Sequence, residues 1–121
     1  MDNEKNCEAI IYGMNTTKSA TAVDVRDGII KCFVEAHSEE LAELKNYGDV
    51  TDEDFEKIKS INVEGMIKNI FKEIDEDFDN PTKESLVKVV GKLAEFAKNF
   101  RNQEIVKRHY DQVMCLINLI K

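Results

Sequence analysis

Four acidic side chains stand in two pairs at helical spacing, in Glu40-Leu41-Ala42-Glu43 and in Glu76-Asp77-Phe78-Asp79. Carboxylates three residues apart on a helix share a face, and two such faces brought together would supply the anionic oxygen ligands that Mg²⁺ accepts. Two such pairs could hold Mg²⁺ against a pyrophosphate. In a chain with 24 acidic residues the same spacing is also that of a solvated acidic face, which needs no metal. Thiol chemistry is the other possibility raised by residue type, with Cys32 or Cys115 as nucleophile and His37 or His109 as base. Along one helix, however, Cys32 and His37 are five residues apart and His109 and Cys115 six, so neither pair shares a face. The chain has no G-x-S-x-G and no H-E-x-x-H, so neither a hydrolase elbow nor a zinc protease is expected.

The carboxylate pairs resemble the motif of the all-α nucleotide pyrophosphohydrolases. Carried over position by position, the resemblance implies that Glu40, Glu43, Glu76 and Asp79 are Mg²⁺ ligands in an enzyme whose metal polarises a pyrophosphate. Two shorter segments are similar to ligand loops. Gly13-Met14-Asn15-Thr16-Thr17-Lys18-Ser19 resembles a phosphate-binding P-loop, but Thr17 stands where the second glycine is needed, and a polar connection explains it as well. Asp75-Glu76-Asp77-Phe78-Asp79 resembles the opening of a calcium-binding EF-hand. There Asn80 replaces the turn glycine, Thr82 the central apolar residue and Leu86 the closing bidentate glutamate.

Charge narrows the partners. The chain of 121 residues has a formal net charge of −7, which argues against nucleic acid, because affinity for a polyanion comes mainly from cations that neutralise phosphates. Lys98, Arg101, Lys107 and Arg108 do gather beside Phe96, Phe100 and Tyr110, but those aromatics fall at core-type spacing. Residues 39–56 carry eight acids and one base, while 81–121 carry eight bases and four acids. The basic last third is therefore expected to lie against the acidic middle, in its own chain or in a second copy. Cys7, Cys32 and Cys115 form no C-x-x-C pair and read as reduced core residues. The opening Met1-Asp2-Asn3-Glu4 lacks the basic start of a signal peptide, and no apolar run approaches the roughly 18 residues of a membrane span. A cytoplasmic location is expected.

The elements that must position these residues read as helices. One proline and five glycines give too little turn punctuation for an all-β chain. Thr21-Ala22-Val23-Asp24 has the N-cap pattern, and Val25, Ile29, Phe33 and Ala36 follow at helical spacing to an end near Tyr47. Thr51-Asp52-Glu53-Asp54 opens a second run from Phe55 to Phe78, either one kinked helix or a short helix feeding a longer one across Ser60-Ile61-Asn62. Asn80 is expected to cap the next helix, with Pro81 as its first residue. Leu86, Val90, Leu93, Ala97 and Phe100 form its seam, and a turn at 99–102 with Asn102 as cap leads into the last helix. Five acid-to-base pairs at i,i+4 (Asp27/Lys31, Glu53/Lys57, Glu64/Lys68, Glu84/Lys88 and Glu104/Arg108) support these helices. Residues 1–20 are open between helix and strand, with helix favoured because a lone strand lacks partners.

These observations predict a single-domain, all-α bundle of four to five helices ending in a helical hairpin. Residues 113–120 are apolar nearly all round, so the last helix is either central in the bundle or covered by a second subunit. The function expected is a non-catalytic interaction or regulatory module, partnered by a second copy as a homodimer or by another protein. The pyrophosphohydrolase-like enzyme, the only reading with a cofactor, is the alternative.

Overall fold

A computed structural model of the chain describes residues 21–120. They form five helices: α1 (Ala22–Leu44), α2 (Asp52–Lys59), α3 (Val63–Glu73), α4 (Lys83–Ala97) and α5 (Gln103–Asn118). All five elements among the described residues are helical, in line with the expected class. The segment 1–20, with Cys7 and the Gly13–Ser19 loop, lies outside the described residues. No helix among those described is long and apolar enough to cross a membrane.

Capping side chains decide the boundaries. The Thr21 hydroxyl accepts the Asp24 N–H at 3.1 Å, and Thr51 does the same for Asp54 at 3.1 Å, each satisfying an N–H that lacks an intrahelical partner. The long apolar run is broken: Ser60 donates its hydroxyl to the Lys57 carbonyl, and extended Asn62 caps α3 by accepting the Gly65 N–H at 3.0 Å. A short helix thus feeds a longer one. The apolar face through Ile74 and Phe78 overstates the length of α3. Asp75, at φ 59°, turns the chain into the left-handed region, which aspartate tolerates better than most residues. Its N–H then meets the Lys72 carbonyl at 3.1 Å and the Glu76 N–H meets that of Phe71 at 2.9 Å, the paired bonds of a Schellman ending.

The start of α4 also differs from expectation. Thr82, not Asn80, is the cap, and buried Pro81 precedes the helix rather than opening it. The Thr82 hydroxyl accepts the Ser85 N–H at 3.0 Å while the Ser85 hydroxyl accepts the Thr82 N–H at 2.8 Å. Two N–H groups are satisfied reciprocally in this way, an advantage that a cap at Asn80 does not offer. At the far end of α1, regular helix stops at Leu44 rather than near Tyr47.

α1 lies against every other described helix. Val25, Ile29 and Cys32 of α1, Ile67 and Phe71 of α3, Leu86 and Val89 of α4, and Leu116 and Ile117 of α5 are each at most 1% exposed. A second cluster joins Ala36, Ala97, Phe100 and Ile105, with the Phe33 ring 6.0 Å from Phe96 and 6.1 Å from Phe100. It anchors the α4–α5 turn on α1. Val113, Leu116, Ile117, Leu119 and Ile120 are buried in the first cluster, where the last helix packs on α1 and α4.

Ion pairs follow the predicted charge asymmetry. Glu53/Lys57 and Glu64/Lys68 close at helical spacing, at 3.6 and 3.3 Å. Lys88 instead reaches Glu76 at 2.9 Å, Arg101 reaches Asp49 at 2.7 Å, and Arg108 pairs with Glu39. The basic last third lies on the acidic middle of its own chain.

Candidate functional site

Glu40 and Glu43 lie on α1, Glu76 and Asp79 in the α3–α4 loop. Because α3 ends at Glu73, spacing alone no longer puts Glu76 and Asp79 on one helical face. Glu76 receives Lys88, whose ammonium is raised above its ordinary pKa by that bond. Asp79 is exposed and donates its N–H to Asp77. Asp77 also accepts the Asn80 side-chain amide at 3.0 Å, and these bonds, Asn80 foremost, hold its carboxyl below the usual aspartate range. Glu43 is half-buried beside Glu39 and Arg108. Among the described residues no three His, Cys, Asp or Glu side chains converge as metal ligands would.

Glu40 stands out from the other three. It is only 4% exposed, in a position where an ionised carboxylate is costly without hydrogen bonds. One oxygen is satisfied: Oε2 accepts the backbone N–H of Arg101 at 2.6 Å. The other, Oε1, is buried and has no partner. Glu40 lines a cleft of about 460 Å³ between α1, α2 and the α4–α5 turn. His37, one turn earlier on α1, also lines it and donates its Nε2 hydrogen to the Ile58 carbonyl at 2.9 Å, tying α2 to the cleft floor. Leu44, Ile61 and Phe100 give apolar walls.

The rim is charged and braced. Arg101 bonds Asp49 through Nη1 at 2.7 Å, and its guanidinium lies 4.1 Å from the centre of the Tyr47 ring. The bond from Arg101 holds the Asp49 carboxyl below its ordinary range, and the same bond raises the guanidinium. The α1–α2 loop is thereby clamped to the α4–α5 turn. Three carboxylates, Glu40, Asp49 and Asp54, face two cations, Lys57 and Arg101, and one of those cations is committed to Asp49. The cleft therefore offers a negative bias and apolar walls to a cationic ligand, with Glu40 Oε1 just beneath its surface and out of contact with solvent.

A second constellation was missed in the sequence because its members lie on different helices. Cys32 Sγ on α1 is 3.2 Å from His109 Nδ1 on α5, and His109 Nε2 is 2.5 Å from Glu39 Oε2 back on α1. Glu39 Oε1 also receives Arg108. Burial pushes the Glu39 carboxyl up, but the bonds from His109 and Arg108 together outweigh it and leave the carboxyl below the ordinary glutamate range. Cys32 and Glu39 are seven residues apart, two turns along one face of α1. That spacing was legible, but the histidine between them was not.

The basic group at the final turn is largely used internally. Arg101 and Arg108 pair with Asp49 and Glu39, and Phe96 and Phe100 pack in the second cluster, leaving Tyr110 as the exposed aromatic. Comparison with protein-family models, curated proteins and solved structures gives no match to this chain.

Proposed function

We propose that this chain is a cytoplasmic, non-catalytic interaction module, a helical bundle closed by the α4–α5 hairpin, that holds a cationic side chain of a partner protein in the Glu40 cleft. The observation carrying this reading is the buried, unpartnered Oε1 of Glu40. Leaving a buried acceptor unmade costs about 1–3 kcal/mol, more for a charged one, and a lysine or arginine from a partner removes that cost when the Glu40 side chain turns outward to meet it. Apolar walls suit the methylene stem of such a side chain, while Asp49 and Asp54 at the rim favour positive charge. The partner is another protein or a second copy of this chain, as in the expected homodimer.

The test uses n-butylguanidinium and n-butylammonium as probes of the two side chains, with amide shifts recorded by NMR. Saturable movement of the Arg101 amide, which donates to Glu40, is expected, and Glu40→Gln abolishes it. An unmoved amide, or equal movement in the variant, overturns the proposal. Light scattering then identifies a second copy as the partner by a mass of twice the monomer.

A further inference from the structure

Apart from the cleft, the Cys32, His109 and Glu39 side chains form a connected array that the proposed binding role does not use. We propose that Cys32 is a peroxide-reactive thiol, with His109 as its base and Glu39 positioning His109.

Tautomer and geometry carry the first step. With Nε2 donating its hydrogen to the Glu39 carboxylate, His109 presents the lone pair of Nδ1 to the sulfur 3.2 Å away. Cys32 is 1% exposed, and apolar burial disfavours a standing thiolate. The proton therefore moves to Nδ1 as the sulfur attacks, and Glu39 stabilises the imidazolium that forms. Arg108 keeps Glu39 ionised and aimed.

Cavity size selects the reactant. Cys32 and His109 line a pocket of about 40 Å³ walled by Ile29, Phe33, Val90 and Leu93, with the exposed Tyr110 at its edge. A water needs roughly 10–15 Å³ of such space. The pocket accordingly admits a neutral molecule of two or three heavy atoms and excludes peptides and larger electrophiles. Hydrogen peroxide has that size and a weak O–O bond open to the sulfur lone pair. In the step, an S–O bond forms and the O–O bond breaks. The departing hydroxide takes the proton from His109 Nδ1 and leaves as water, giving Cys–SOH; sulfur is oxidised by two electrons and the peroxide is reduced. Sulfenic acid is the reversible first stage of cysteine oxidation.

The full chain is exposed to dilute hydrogen peroxide, quenched with catalase at set times and unfolded in dimedone, which then reaches every sulfenic acid, and adducts at Cys32 and Cys115 are counted by peptide mass spectrometry. Cys32 is expected to be oxidised about a hundredfold faster than Cys115, the lower end of the range that a positioned base supplies. Glu39→Gln should slow Cys32 by about tenfold and leave Cys115 unchanged. A merely structural role for Glu39 predicts the opposite, since loosening the α1–α5 contact speeds access to a buried sulfur. His109→Gln, which keeps a polar side chain of similar length, provides the second variant. Equal rates at the two cysteines, or a Cys32 rate indifferent to both substitutions, overturn the proposal.

Discussion

Replacing Glu40 by glutamine should stabilise the unliganded protein while removing its ability to bind a cation. Glutamine keeps an acceptor for the Arg101 N–H at the position of Oε2, and the bond weakens from charge-assisted to neutral, a loss of roughly 1 kcal/mol. Against this, the unpartnered position is taken by an uncharged amide nitrogen, which is still unsatisfied but costs less to bury than a charged oxygen, a difference of roughly 2 kcal/mol. The net gain of about 1 kcal/mol corresponds to a rise in thermal midpoint of roughly 4 °C for a domain of this size. Urea unfolding followed by circular dichroism, with the slope unchanged, measures it directly. A side chain whose neutralisation raises stability and abolishes binding has the signature of a site maintained for function at the expense of the fold. If Glu40→Gln instead lowers the midpoint by several degrees, the carboxylate is a structural anchor for the α4–α5 turn and the reasoning fails.

Asp49, whose carboxyl is held below its ordinary range chiefly by the hydrogen bond from Arg101, contributes stability at pH values above the unfolded aspartate pKa of about 3.9. That contribution is lost as pH falls through the lower folded value. NMR titration should show its midpoint below about 3.9, and Arg101→Ala should return it to the ordinary range; an unchanged midpoint would mean that the clamp is not formed in solution. Thr82→Ala removes one half of the reciprocal cap on α4 and should cost about 1 kcal/mol in urea unfolding, whereas Asn80→Ala, at the cap position expected from sequence, should cost well under half as much. Equal losses would move the start of α4 back to Asn80.

Local chemistry was legible in the sequence, and pairing across helices was not. Thr21, Thr51 and Asn102 cap where their patterns placed them, because a cap is a contract between residues two or three apart. Asn62 was recognisable as a cap, but whether it would outweigh the apolar continuity of Ile58, Val63 and Ile67 depended on packing against α1. Phe78 extended the apolar face past the true end of α3 because it packs from the loop, edge-on to Phe71 at 5.3 Å and under Arg26, whose guanidinium donates to its carbonyl. At the site, periodicity identified Glu40 as one of a spaced pair of acids. What sets it apart, burial against the amide of Arg101 61 residues later, is a tertiary fact. The same holds for Cys32 and His109, 77 residues apart. Hydrophobic spacing says which face of a helix is covered and is silent on which helix covers it.

A crystal structure of the chain soaked with n-butylguanidinium tests the central claim most directly. A guanidinium nitrogen within about 2.7–2.9 Å of Glu40 Oε1, the distance of a charge-assisted bond, with the alkyl stem along Leu44 and Phe100, is the predicted result. An ordered water bridging Oε1 to neighbouring protein groups, with the cation bound elsewhere or absent, would contradict it.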